Sequence, residues 1–146
     1  MERKGLRGFF LKYFDIIENI FMLTFAVGLF LLTRQIKYSQ YIIWLGAVVL
    51  TLLYLFKSFD SPKENFFDFI VYKFAWLGLV LAIFGVMSKL MLIEKADMLL
   101  WIAFFLMLFG LAGGIQRRFE HKEIFLRRDY WRLAIVAVIT FLFAIL

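Results

Sequence analysis

Met98–Gln116 reads MLLWIAFFLMLFGLAGGIQ, a run in which no residue carries a charge. Wound as an α-helix rising 1.5 Å per residue it reaches about 28 Å, close to the roughly 30 Å hydrocarbon core of a bilayer. Tyr38–Phe56 (YSQYIIWLGAVVLTLLYLF) is a second run of the same kind. Three shorter ones, Asn19–Thr33, Phe74–Ser88 and Leu133–Leu146, reach spanning length once flanks such as Ile16–Ile17, Leu90–Leu92 and Tyr130–Trp131 are recruited. Charged neighbours at such edges extend their heads outward along apolar stems. The expected fold class is all-α: a polytopic membrane helix bundle of about five transmembrane helices. It fills a single integral membrane domain, 1–146, with spans at roughly 16–33, 39–56, 73–92, 97–116 and 130–146.

Composition points the same way. The chain is 64% hydrophobic and 21% aromatic, with 20 Phe and one Pro among 146 residues. An ordinary soluble domain is about 45–50% apolar, and a chain this short buries only about two-thirds of its unfolded surface. The excess must face lipid. There is no cysteine, so disulfides, thiolate chemistry and Cys-based metal sites are excluded. The one histidine, His121, sits beside Arg117, Arg118 and Lys122, not among convergent ligands, so neither metal nor other cofactor is expected.

The net charge of +6 flanks the apolar runs, as membrane-anchoring residues do, and does not indicate nucleic acid. With five crossings, the segment before the first span, the 57–73 loop and the 117–132 segment share one side. That side holds Arg3, Lys4, Arg7, Lys12, Lys57, Lys63, Lys73, Arg117, Arg118, Lys122, Arg127, Arg128 and Arg132. The other holds Arg34, Lys37, Lys89 and Lys95. The asymmetry predicts the N-terminus in and the C-terminus out. Residues 1–11 imitate the basic region of a signal peptide, but the run after them is too long and lacks a small-residue cleavage site. It reads as a retained first span.

Local signals mark the breaks. Ser39, Asp97 and Asp129 precede apolar runs and suit the N-cap. Ser61-Pro62-Lys63-Glu64 has the form of a capping box with proline in the first turn. It predicts a helix whose first turns, Asn65–Lys73, lie at the interface before entering the membrane. An echo recurs at an offset of 57 residues: Phe9-Phe10 with Phe66-Phe67, Gly28 with Gly85, Ile36 with Ile93, Trp44 with Trp101. It suggests a parallel repeat of a span, a short polar turn and a second span.

Small residues stand at helical spacing. Ala75, Gly78, Ala82 and Gly85 form one stripe on the third helix, and Ala103, Gly110 and Gly114 a sparser one on the fourth. In lipid such stripes let backbones approach, and these are the expected helix-packing positions. Gly113-Gly114 offers a place for the fourth helix to end. Arg117–Arg132 mixes basic and aromatic residues. Arg117, Arg118, Lys122, Arg127 and Arg128 are expected to contact anionic headgroups, with a partner's docking site as the sharper alternative. None of the five uncharged runs holds a carboxylate, His or Lys. Glu18, at the entry to the first span, reads as a flank residue facing headgroups, and as the candidate membrane-edge acid if it turns inward.

Gly85-Val86-Met87-Ser88-Lys89-Leu90-Met91 followed by Ala96-Asp97-Met98-Leu99-Leu100 resembles a pattern in small multi-pass inner-membrane proteins of Bacteroidota, including the membrane part of the gliding-motility and type IX secretion protein GldL. Leu92-Ile93-Glu94-Lys95 stands where that pattern has a His-Trp-Pro-Gly-like turn. The resemblance covers about thirty residues and implies a bacterial cytoplasmic (inner) membrane and an envelope-machine setting, not an activity. Taken with the absence of paired carboxylates or a nucleophile–base set, the expected role is non-enzymatic: a subunit or scaffold of a larger membrane assembly. Its partners would be the bilayer, other membrane subunits or further copies of itself. The alternative is a channel or transporter for a lipid-like or small neutral solute, working through pore geometry.

Overall fold

The computed structural model describes residues 6–60, 65–120 and 122–146, and all regular structure among them is helical. The segments are α1 (Leu6–Lys12), α2 (Phe14–Thr33), α3 (Ser39–Ser58), α4 (Phe66–Leu90), α5 (Ala96–Phe119) and α6 (Arg127–Ile145). Helix is the form such runs must take, because in lipid every backbone N–H and C=O has to be satisfied within its own segment. By length and composition α2, α3, α4 and α5 are each able to cross a membrane. This is a membrane-embedded helix bundle.

The single membrane domain of the sequence reading is built of two compact units, Met1–Phe56 and Lys57–Leu146. In the first, α2 and α3 form a hairpin. In the second, α4 packs along α5, α5 against α6, and α4 also touches α6.

Several boundaries differ from expectation. The box at 61–64 and His121 lie outside the described residues. The described helix α4 begins at Phe66, after Asn65, and runs unbroken into its apolar part. Helix α5 does not end at Gly113-Gly114 but continues through Arg117 and Arg118 to Phe119. Ser39 is the first residue of α3, and Asp97 lies inside the first turn of α5. Asp129 is the third residue of α6, where its Oδ2 accepts the Leu126 N–H at 3.1 Å from outside the helix. Each acid satisfies a different geometry from the N-cap that its sequence position suggested.

The 57-residue echo has a structural counterpart. Helix α2 ends with Gln35 left-handed at φ 53°, and α4 with Leu92 at φ 57°. Gln35 N donates to Leu32 O and Ile36 N to Leu31 O; Leu92 N donates to Lys89 O and Ile93 N to Ser88 O. These are the paired bonds of a Schellman motif, made twice without glycine. The next helix then opens on the same bond, Ser39 N on Ile36 O and Ala96 N on Ile93 O, although Tyr38 before it is left-handed at φ 77° where Lys95 is at φ −98°. A Cβ placed on Gly28 would lie 2.7 Å from Ile43 Cγ1, and one on Gly85 2.6 Å from Leu100 Cδ2. The buried pairs Ser39/Ala96, Ile43/Leu100, Gly46/Ala103, Leu50/Met107 and Leu53/Gly110 keep the same offset. The two hairpins are one packing design used twice.

A non-glycine residue held left-handed is strained by about 1–2 kcal/mol. Leu92 is 91% exposed, so its side chain gains little from packing. Leu92→Gly is therefore expected to raise stability by up to about 1 kcal/mol, because the strain relieved exceeds the entropy glycine adds to the unfolded chain. Thermal denaturation in detergent would read this as a higher Tm.

Candidate functional site

In the second unit, the residues of the two expected stripes on α4 and α5 are all buried. A Cβ on Gly110 would stand 2.5 Å from Ala75 Cβ and 2.9 Å from Ala75 Cα. One on Gly78 would be 2.8 Å from Met107 Cγ and 3.2 Å from Ala103 O. Gly85 faces Leu100, and Gly113, outside the expected stripe, faces Val71. Ala82 is buried on the same helix. Gly114 has a different neighbour: a Cβ there would meet Phe125 Cδ2 at 2.7 Å. It makes room for Phe125, from the connection before α6, and for Tyr130 of α6 at 3.0 Å, and not for α4. Phe125 is buried there, stacked on Tyr72 at 5.5 Å and edge-on to Tyr130 at 5.6 Å. The Tyr130 hydroxyl donates to Gly114 O at 2.8 Å.

Beside this plug lies an ionic cluster. Arg117 Nε donates to Asp68 Oδ1 at 2.5 Å, joining α5 to α4, and another of its nitrogens donates to Glu120. Asn65 Nδ2 donates to the other Asp68 oxygen at 3.2 Å. The guanidinium lies 5.1 Å over the Phe67 ring. The Arg117 hydrogen bond holds the Glu120 carboxyl below its ordinary value of 4.5. That stabilisation is present above the ordinary value and is lost as pH falls through the lowered one; at an exposed carboxyl it is small. In the same region Arg132 donates to Asp129 Oδ1 at 2.7 Å.

The expectation that the basic residues act as one diffuse surface is therefore corrected. Arg117 is withdrawn into a fixed pairing, with one nitrogen on the buried Asp68 and another on Glu120. Arg118, Lys122, Arg127 and Arg128 remain exposed, near the exposed apolar side chains of Phe119, Leu126 and Trp131. That mixture of cations and large apolar groups suits a membrane interface.

At the opposite end of this unit, Lys89 Nζ donates to Asp97 Oδ1 at 2.8 Å and to Phe143 O at 2.5 Å. One side chain thus ties the end of α4, the start of α5 and the carbonyl end of α6. A cation suits a helix C-terminus. Trp101 meets Phe141 edge-on at 5.8 Å. Contacts from Tyr130–Gly114 to Phe141–Trp101 and Phe143–Lys89 make α6 run antiparallel to α5 over most of its length.

The first hairpin holds the other polar pair. Glu18 is 2% exposed, and its Oε1 accepts the Tyr54 hydroxyl at 2.8 Å across α2 and α3. The Phe14 ring lies 6.3 Å from that of Tyr54. The expectation of a flank residue facing headgroups is overturned: Glu18 points inward. With Asp68 and Asp129 also buried, the chain does bury ionisable side chains. At the positions 57 residues on, the second hairpin has Ala75 and Leu111, with Ala75 seated on Gly110. An interhelical hydrogen bond in a bilayer averages about 0.6 kcal/mol and reaches about 1.7. The second hairpin closes without the pair.

The sequence singled out Glu18, Arg117, the stripes and, as a cap, Asp129, but not Tyr54, the Asp68 pairing or the Phe125 plug. Asp68 and Arg117 stand 49 residues apart, and no local pattern links them. The inward turn of Tyr54 could have been found from its helical register with Ile43, Leu50 and Leu53. Among the described residues, no three His, Asp or Glu side chains gather as a metal would require. No family model, curated protein or solved structure matches the chain.

Proposed function

We propose that this protein is a non-enzymatic membrane scaffold, a small multi-pass subunit that packs through its helices into a larger assembly in a bacterial cytoplasmic membrane. The observation that carries this reading is where the polar side chains of the second unit go. Asp68, Arg117, Tyr130 and Lys89 are each engaged in joining one helix to another, and Asp129 caps the start of its own helix. They make a braced bundle whose outer surface is apolar. Large side chains such as Phe84, Ile102, Phe105 and Ile135 point outward, toward lipid or neighbouring membrane helices.

The proposed topology has five crossings, with the 117–132 segment in the cytoplasm. Helix α6 carries Arg127, Arg128, Asp129 and Arg132 in its first turns, which leaves it too charged there to stand out by composition. Its run alongside α5 supports a full crossing, because its two ends lie level with those of a helix that is long enough to span. Arg118, Lys122, Arg127 and Arg128 then face anionic headgroups on the cytoplasmic side. An envelope-machine setting follows from the likeness of the Gly85–Leu100 segment to its Bacteroidota counterparts.

Purification in mild detergent followed by native mass measurement tests the scaffold reading. A stoichiometric protein partner, retained after Arg118→Gln and Lys122→Gln, is the expected result. A homo-oligomer that conducts a neutral solute in vesicles would replace the scaffold with the channel reading.

A further inference from the structure

We propose that Glu18, held by Tyr54, is a proton-carrying site: its carboxyl group binds and releases a proton inside the membrane domain. This goes beyond the scaffold reading, which needs no titrating group. Three observations converge. Glu18 lies within a helix able to cross a membrane, one turn deeper than Asp15, and is almost wholly buried. A phenol hydroxyl from the facing helix is aimed at its carboxylate oxygen at 2.8 Å. The second hairpin keeps the helix cap, the glycine contact and the buried register of the first but has Ala75 and Leu111 at these two places.

An acid retained inside a bilayer where the same scaffold dispenses with it marks a proton path more often than a structural bond. By the matching of the hairpins, Glu18 holds on the first hairpin the place that Ala75 holds on the second. The ligand is thus a proton and the site is a carboxyl–phenol pair. On these elements the other charged and titratable groups are Asp15 on α2, Arg7 and Lys12 on α1 with Tyr13 just after it, Tyr41 near the start of α3, and Lys57 one turn beyond Tyr54. Tyr54 is a positioning residue, because its O–H bonds to the ionised carboxylate more strongly than to the neutral acid.

Dicyclohexylcarbodiimide, a lipid-soluble reagent that adds to protonated carboxyl groups, tests the proposal on the full chain in phosphatidylcholine–phosphatidylglycerol vesicles. Peptide mass mapping should find one reagent molecule added at Glu18, with labelling that falls as pH is raised. Glu18→Gln should abolish that adduct while the protein keeps its elution position and helical circular dichroism. Tyr54→Phe should move the pH at which labelling is half lost, which loss of a merely structural bond would not do. Labelling of Glu18 that is independent of pH, or unchanged in its pH profile by Tyr54→Phe, would overturn the proposal. So would absence of the adduct together with an infrared carboxyl band that Glu18→Gln leaves unchanged.

Discussion

Arg117→Met is expected to lower the melting temperature more than the same change at any other basic residue of the 117–132 segment, because it leaves Asp68 without its charge partner. The side chains of Arg117 and Asp68 are only 17% and 10% exposed, so water cannot replace the lost hydrogen bond. Arg118→Met and Lys122→Met, at exposed positions nearby, should stay within about 0.5 kcal/mol. Arg117→Lys should fall between them: charge survives, but one ammonium cannot reach Asp68 and Glu120 with the geometry of a guanidinium fork. The double variant Asp68→Asn with Arg117→Met should recover part of the loss, since no uncompensated charge stays inside. Detergent melting curves for the series measure this. Equal effects at Arg117 and Arg118 would return Arg117 to the exposed basic surface.

Gly110→Ala should also destabilise, against the sign that helix propensity gives. In a free helix the change would gain about 0.8–1 kcal/mol. Here the new Cβ would lie 2.9 Å from Ala75 Cα, a backbone atom that cannot turn aside. Overpacking of this kind costs about 1–3 kcal/mol, and Gly110→Leu should exceed that and separate the helices. Gly114→Ala is a useful contrast, because its neighbour is the movable ring of Phe125 and not a backbone. Leu108→Ile, at a position open on the lipid side, should change little. A Gly110→Ala protein that melts above the parent would mean that α4 and α5 do not meet closely at Ala75.

The helices were readable because each uncharged run states its own length, and in lipid no structure but helix closes its backbone bonds. The stripe from Ala75 to Gly85 was readable for a related reason: small residues three and four apart share a face. What the one-dimensional pattern could not supply was direction for polar side chains. Glu18 beside Asn19 looks like an edge residue until the register of α2 turns one inward and the other outward. Gly114 looks like one more packing glycine until Phe125, from a connection with no periodicity, fills the space above it. The turns at Gln35 and Leu92 lacked the glycine that usually marks a left-handed cap, so only their place in the echo hinted that they match. Arg117 was grouped with its basic neighbours because charge counting cannot tell a paired cation from an outward-facing one.

The central claim, a five-crossing bundle in which α6 spans alongside α5, is tested most directly by single-cysteine labelling, for which a chain without native cysteine is well suited. Lys122→Cys, Glu94→Cys and Leu146→Cys would each be treated with a membrane-impermeant maleimide in intact cells and in inverted vesicles. The account predicts that Glu94→Cys and Leu146→Cys react from outside and Lys122→Cys only from the cytoplasmic face. Leu146→Cys reacting from the same side as Lys122→Cys would contradict it, because α6 would then not cross.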